Sequence, residues 1–247
     1  MSRGELQRTA IEYLTHSWPI ISGCLHTAEV CPVVDDCWAR AYARRFPSHY
    51  GPGFRPILHV SRLTQPLELA RPARIGVAFT GDFCGPQVHR HWQLQVLEVV
   101  RRCPQHTFVF LTKAGAELLS FNGAWPSNAW VGVSITGALP ERDAWNLKAL
   151  KQVEARVRWV SFEPLLAPWE GDLSGIQWVV IGAQTGPHAR CPNLEWVGDI
   201  MEEAGKRGIA LWLKRNMAQG PALPWAVEDL IQELPEGGND AIQRGSA

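Results

Sequence analysis

The chain has 247 residues, and 24 basic and 24 acidic side chains give it a formal net charge of zero. This length allows one α/β barrel or two smaller domains. The charge balance neither requires nor excludes a polyanionic partner, because a local basic patch can still bind one. The first residues form no apolar run and no stretch approaches the roughly 18 apolar residues of a membrane span, so we expect a cytoplasmic protein without a membrane partner.

Apolar runs typical of strands alternate with helical patterns along most of the chain. Several of these runs are apolar on both faces, as in a parallel sheet covered by helices. The predicted strands span residues 17–21, 74–80, 107–112, 129–135, 157–162, 176–182 and 209–213. The predicted helices span residues 36–45, 88–102, 114–119, 141–152 and 194–206.

Six or seven β/α units in one chain predict an α/β fold built as a partial or complete parallel (β/α) barrel. A doubly wound open sheet is the alternative topology. We assign residues 1–220 to the barrel. Residues 221–247 are expected to form a short C-terminal helix near 225–230 and then a flexible tail rich in glycine and polar residues.

Polar or small residues follow most of the predicted strands. In parallel barrels the active site lies at the carboxyl ends of the strands. The residues at these ends are Thr80, Gly81, Asp82, Thr112, Lys113, Ser134, Ser161, Glu163, Gly182, Gln184 and Lys214. Functional groups that recur after buried strands indicate a cleft at this edge of the sheet.

Three cysteines near the start of the chain have the spacing Cys24-x6-Cys31-x5-Cys37. In a cytoplasmic protein, clustered cysteines favour a metal site over disulfides. A closed zinc site needs a fourth ligand. Within this loop the candidates are His26, Asp35 and Asp36. Three thiolates can instead hold a [4Fe–4S] cluster and leave one iron open, and this interpretation is favoured.

Short segments between residues 10 and 217 carry a family resemblance. They include Gly23-Cys24, Gly81-Asp82-Phe83, the run from Pro104 to Phe108, the run from Asn128 to Ser134, the run from Ser161 to Leu166, and the run from Trp178 to Gly186. In this order they resemble a family of phage and prophage proteins that looks like a divergent radical S-adenosylmethionine group.

The resemblance implies that Cys24, Cys31 and Cys37 hold a [4Fe–4S] cluster whose open iron binds S-adenosylmethionine. An electron from the cluster would cleave the sulfonium bond and give a 5′-deoxyadenosyl radical that abstracts hydrogen. A reductant of the flavodoxin or ferredoxin type would be a partner.

The resemblance also implies roles at the strand ends. Thr80, Gly81 and Asp82 would receive the methionine amino group, and Ser134 and Glu163 would meet the ribose and the methionine carboxylate. The other expected cofactor-binding residues are Trp38, Lys113, Gly182, Gln184, Arg190 and Lys214. Cys84 and Cys191 fall in loops expected at the same edge and are the candidate catalytic residues, either as a hydrogen donor to a substrate radical or as ligands of a second cluster. Structural alternatives stay open: Asp82 can cap a helix, Glu163 can form a buried salt bridge, and the basic groups can form ion pairs.

The chain departs from the family pattern at three places. Cys31 and Cys37 are separated by five residues where the family has two, so the cluster loop is longer. Gln184 stands where the family has glutamate, and Cys191 stands where it usually has proline. The last two differences point to a different substrate.

The expected function is that of a radical S-adenosylmethionine enzyme. The family setting suggests a modified thymine base in phage DNA as its substrate, in the cytoplasm of the host cell. One alternative is a zinc-stabilised module that binds nucleic acid or a protein partner without catalysis. Another is a DNA lyase of the photoproduct type. Candidate phosphate contacts, or equally a solvated face, are Arg40, Arg44, Arg45, Arg71 and Arg74.

Overall fold

The structure is a computed structural model that describes residues 5–186, 188–219 and 229–235. The strands are β1 (Gln7–Arg8), β2 (His16–Trp18), β3 (Ile21–Ser22), β4 (Ile57–Leu58), β5 (Arg74–Val77), β6 (Thr107–Thr112), β7 (Ala129–Ser134), β8 (Val157–Phe162), β9 (Trp178–Ile181) and β10 (Ala210–Leu213). The α-helices are α1 (Trp38–Arg45), α2 (Arg90–Arg101), α3 (Pro140–Lys151) and α4 (Leu194–Lys206).

Eight strands form one sheet in the order β1-β2-β5-β6-β7-β8-β9-β10. All neighbours from β2 to β10 are parallel, and only β1 runs antiparallel to β2. The spatial order follows the chain order, so the doubly wound alternative is wrong. Within the described residues no pairing joins β10 back to β2, and the sheet is therefore a partial barrel.

The outer edge of β10 is covered by a segment near the C-terminus. The amide of Leu213 donates to the carbonyl of Ile231 at 2.7 Å, and the amide of Glu233 donates to that of Leu211 at 2.8 Å. The predicted helix near 225–230 falls largely outside the described residues, as does the predicted tail from 236 onward. The division of the chain at residue 220 stays a prediction.

The inner face of the sheet is filled with aromatic rings. Successive strands contribute Trp130, Trp159, Trp178 and Trp212, and the turn before β2 inserts Tyr13 among them. Gly132 makes room for this packing, since a methyl group there would lie 2.4 Å from the indole of Trp159. This aromatic packing fills the space between the strands, and a further set of polar side chains lies at their carboxyl ends, where active sites of such barrels are found.

Most predicted elements are confirmed, with shifts of one to three residues at their ends. The predicted helix at 114–119 is a 3₁₀ helix, Gly115–Phe121, whose first amide bonds to the side chain of Asn146. Arg74 is buried and donates to the carbonyl of Tyr13 at 2.8 Å, so its proposed phosphate contact is wrong. No described helix is both long and apolar enough to cross a membrane.

Candidate active site

The cysteine loop begins at a close approach of two backbones. Gly23 pairs with Gly81, which follows β5, in an isolated parallel bridge. Gly23 has a φ of 92°, and a methyl group on it would lie 2.3 Å from the carbonyl oxygen of Arg55. Only glycine satisfies both the left-handed backbone and the contact. The amide of Cys24 then donates to Phe54 at 2.8 Å, so the loop starts at the carboxyl end of β5.

Two turns shape the loop that carries the three cysteines. The amide of Cys31 bonds to Thr27, and the amide of Val34 bonds to the carbonyl of Cys31 at 3.1 Å. This second turn absorbs part of the longer spacing before Cys37, which begins α1. Burial raises the pKa of the Cys31 thiol, while nearby Lys113 lowers it and the charges of Cys37 and Cys24 raise it further.

The donor set fits a three-cysteine cluster. All three thiols are free of disulfides, and the ammonium of Lys113 lies near enough to Cys31 to affect its pKa. In residues 5–186, 188–219 and 229–235, no three His, Cys, Asp or Glu side chains form a group able to hold one metal ion. A cluster of four irons and four sulfides is wider than a single ion and takes each thiolate at a separate corner.

A buried ion pair fixes the start of the loop, next to Cys24. Nε2 of His26 lies 2.7 Å from Oδ2 of Asp82. Asp82 also accepts from the amides of Lys113 and Cys84, each at 2.9 Å. Burial alone would lower the pKa of His26, but bonds to Asp82 and Cys24 raise it to about 9. Burial would raise the pKa of Asp82, yet His26 and the other donors hold it below its usual value.

Polar side chains form a row along the carboxyl edge of β6 to β10. Nζ of Lys113 lies 3.3 Å from Oγ of Ser134, and Ser134 is the register partner of Ser161 on β8. The hydroxyl of Ser161 donates to Glu163 at 3.2 Å. Glu163 in turn accepts from Nζ of Lys214 at 2.5 Å. The row thus starts at Lys113, near the cysteine loop, and crosses the carboxyl ends of five neighbouring strands.

Gly182 makes room for the carboxylate in this row. A methyl group on Gly182 would lie 2.8 Å from Oε1 of Glu163. The side chains of Glu163 and Lys214 are 18% and 16% exposed, so solvent reaches their ion pair only in part. Ser134 is buried, and Lys113 is half-buried. Within the described part of the chain, Lys113 makes no ion pair.

The loop after β9 reaches back to the cysteine loop. Asn216 holds its start through two hydrogen bonds to Ala183, at 3.2 and 3.0 Å. Nδ1 of His188 then lies 2.7 Å from Oδ1 of Asp36, just before Cys37. Asp36 therefore joins the cysteine loop to the loop that follows β9.

Several predicted site residues lie apart from this row. Cys84 is buried in the core behind the sheet, where burial raises the pKa of its thiol well above its usual value. Trp38, Arg190 and Cys191 are exposed. Gln184 is buried, and its backbone N–H donates to the backbone carbonyl of Arg190 at 2.9 Å. The structure brings together Lys113, Ser134, Glu163, Gly182 and Lys214.

Two structural features of the site were missed in the sequence. From the sequence His26 is only a candidate fourth metal ligand. In the structure its ring contacts the carboxylate of Asp82 and holds the loop in place. The salt bridge of His188 to Asp36 spans 152 positions, and no local pattern reveals such a contact. Ser161 was visible as a polar residue ending a buried strand, a signal sufficient to include it in the site.

The fold matches solved structures of one enzyme. "Spore photoproduct lyase complexed with dinucleoside spore photoproduct" matches with a TM-score of 0.52 and 11% identity, over 82% of this chain and 64% of that one. A mutant of the same lyase with bound AdoMet and dinucleoside spore photoproduct matches with a TM-score of 0.50, 11% identity and the same coverage. The chain thus spans less than two thirds of the length of these structures. The expected α/β fold of radical S-adenosylmethionine type is confirmed.

No curated protein matches the chain. The comparisons give no support for a phage origin or for DNA modification, which stay expectations from the sequence. A family model described as "Protein of unknown function (DUF5131)" matches residues 8–223, most of the chain. The chain therefore belongs to the DUF5131 family.

Proposed function

We propose that the protein is a radical S-adenosylmethionine enzyme. One observation carries the proposal: a loop with three free thiols lies at the carboxyl edge of a partial barrel, and its Cys31 is near the ammonium of Lys113, which makes no ion pair among the described residues. The resemblance to spore photoproduct lyase, a radical S-adenosylmethionine enzyme, supports it through the fold. In such barrels this edge is where catalytic groups collect.

Cys24, Cys31 and Cys37 would hold a [4Fe–4S] cluster, and S-adenosylmethionine would bind beside it. Together these groups would supply a 5′-deoxyadenosyl radical for hydrogen abstraction, given an electron from a flavodoxin- or ferredoxin-type reductant. The buried His26–Asp82 pair would keep Cys24 in place, because it ties the loop to the ends of β5 and β6.

Lys113 is the group best placed to hold the methionine carboxylate, because it lies near Cys31 and makes no ion pair among the described residues. Glu163 would accept from ribose hydroxyls, with Ser161 and Lys214 fixing its orientation. Asp82 is less suited to the methionine amino group, since both of its oxygens already accept hydrogen bonds.

We propose the substrate at the level of chemical class, with the matched lyase as support. The matched lyase binds a dinucleoside photoproduct, so we take a nucleobase in nucleic acid, such as a modified thymine, as the substrate. A photoproduct-type lyase reaction is a narrower version of the same proposal. Cys84 is not exposed to the row, and the exposed Cys191 is the better candidate for hydrogen donation.

Anaerobic reconstitution with iron and sulfide tests the proposal. About four irons per chain should bind, as a [4Fe–4S] cluster requires, and Cys24→Ser, Cys31→Ser and Cys37→Ser should each lose most of that iron. Cys191→Ser is the matched control, because it removes an exposed free thiol outside the loop. Reduced protein given S-adenosylmethionine should release 5′-deoxyadenosine. A colourless protein with one bound zinc would favour the binding-module alternative.

A further inference from the structure

Helix α1 exposes the side chains that helices usually bury. Its inner face is made of Ala39 and Ala43, which pack on Phe54. On the adjacent side of the helix Trp38 and Tyr42 are 46% and 44% exposed, and Phe46, which directly follows the helix, is 39% exposed. A spacing of four residues places these rings on one side of the helix. Large aromatic side chains normally supply core packing, so this arrangement indicates a surface for another molecule.

The same region carries a concentrated positive charge. The stretch from residue 37 to residue 67 includes five arginines, Arg40, Arg44, Arg45, Arg55 and Arg62, and no aspartate or glutamate. In a chain with zero net charge this is a local excess. In the part of the chain that the structure describes, none of the α1 arginines forms an ion pair. Such a patch attracts polyanions.

The rings lie in a row that continues beyond the helix. The centroids of Tyr42 and Phe46 are 4.6 Å apart, and those of Phe46 and His49 are 6.5 Å apart with planes only 18° from parallel. The guanidinium of Arg45 lies 5.9 Å from the centroid of Phe46. Aromatic rings interleaved with arginines are the arrangement that stacks bases and pairs with phosphates.

This surface is continuous with the cysteine loop. Cys37 is the residue that precedes the first turn of α1. Cys24 and Cys37 pack against the cluster formed by Ala39, Ala43 and Phe54. A molecule lying along the exposed side of α1 therefore reaches the edge of the proposed cluster without leaving the protein surface.

We infer that this surface, formed by Trp38, Tyr42, Phe46 and the arginines of α1, binds an unpaired strand of nucleic acid. Unpaired bases can stack on the rings, whereas a duplex keeps its bases stacked on each other. The binding of a strand is inferred from this surface alone. The further statement that the bound strand carries the substrate rests on the proposed function. A second copy of the chain fits poorly, because a two-fold contact would bring the same arginines face to face.

A titration of a fluorescein-labelled single-stranded DNA oligonucleotide with the reconstituted full chain, followed by anisotropy, tests the inference. Trp38→Ala and Tyr42→Ala should each weaken binding at least about fivefold, the loss expected for one stacked base. The double variant Arg44→Gln, Arg45→Gln removes two phosphate contacts and should therefore reduce the slope of log K against log salt by about 1.4. A duplex of the same sequence should bind at least about tenfold more weakly, because its bases are not free to stack, and single-stranded RNA is a second probe.

Trp145→Ala and Lys148→Gln are the matched controls, because Trp145 on α3 is 54% exposed with Lys148 beside its ring. Equal losses in these controls, or no salt-dependent binding at all, would overturn the inference. A dimer in sedimentation that Trp38→Ala dissociates would overturn it in favour of a second copy. If the protein binds iron and S-adenosylmethionine but no oligonucleotide, the binding surface is refuted and the proposed function is not. If it binds the oligonucleotide but no iron, the proposed function is refuted and the binding surface is not.

Discussion

His26 and Asp82 form a buried ion pair, with Nε2 and Oδ2 2.7 Å apart and side chains only 5% and 6% exposed. The pair connects the start of the cysteine loop, next to Cys24, to the turn after β5. Since Asp82 also accepts the amide of Lys113 after β6, one carboxylate holds the loop against two strand ends. The position of the cysteines therefore depends on a contact between residues 56 positions apart.

A double-mutant cycle with His26→Gln and Asp82→Asn measures this contact. Removing one partner leaves the other buried and unpaired, so each single variant should lower the free energy of unfolding by about 3 kcal/mol. The coupling energy from urea unfolding of the metal-free protein should exceed about 1.5 kcal/mol. The exposed pair Lys206–Glu202, at 2.6 Å, is the control and should couple far more weakly, because solvent screens exposed charges. Equal coupling in the two pairs would contradict the anchoring role.

A methyl group at Gly23 tests the start of the loop. Gly23→Ala adds a Cβ against the carbonyl of Arg55 at a φ of 92°. Gly123→Ala is the control, because its φ is 74° and nothing lies within 4 Å of the added atom. The control should cost about 1–2 kcal/mol from backbone strain alone, and Gly23→Ala about 2 kcal/mol more from the clash. Urea unfolding measures the loss in the free energy of unfolding for both variants. Equal losses would show that the backbone around Gly23 shifts to accommodate the added methyl group.

The stability of the metal-free protein should fall in acid because of His59. Burial first, then Arg62 and His49, lower the pKa of His59 from 6.5 to about 4. Below pH 6.5 His59 is protonated in the unfolded chain, but in the folded chain it stays neutral until about pH 4. The free energy of unfolding therefore decreases as the pH falls over that interval. Each pKa unit corresponds to ~1.4 kcal/mol, and solvent screening around this half-buried ring reduces the loss to about 1–2 kcal/mol.

His59→Gln removes this titration and keeps a polar partner for Ser22, which contacts His59. Urea unfolding at about pH 7.5 and about pH 5, on either side of the ordinary histidine pKa, should show a smaller loss for the variant than for the native chain. An identical loss in both proteins would assign the acid sensitivity to other groups, such as the buried His106, whose pKa is also lowered by burial.

Lys113→Met should weaken the binding of S-adenosylmethionine to the reconstituted protein. A hydrogen bond to a charged group contributes about 1.5–3 kcal/mol, so the dissociation constant should rise at least about tenfold. Lys206→Met, on the exposed side of α4, is the control and should leave the affinity unchanged. Anaerobic calorimetry measures both. An unchanged affinity in Lys113→Met would remove that residue from the proposed site.

The sequence is informative about the sheet because its strands carry local signals. Runs such as 107–112 and 157–162 are apolar on both faces and end where the structure ends them. Polar residues at strand ends, such as Ser134 and Glu163, could therefore be placed on one edge. Contacts between distant loops had no such signal. Tertiary structure determines two such contacts, that of His26 with Asp82 and that of Asp36 with His188, because each joins segments far apart in the chain. Cys84 packs into the core cluster behind the sheet, which its position after a strand does not reveal.

An electron paramagnetic resonance spectrum of the reduced, reconstituted protein, with and without S-adenosylmethionine, bears most directly on the proposed radical chemistry. We predict a [4Fe–4S]⁺ signal that shifts when S-adenosylmethionine is added and is lost in Cys31→Ala, with Cys191→Ser behaving like the native chain. A signal that S-adenosylmethionine does not change would show that the cluster has no open iron for it. Reduced protein without a cluster signal would contradict the proposed function altogether.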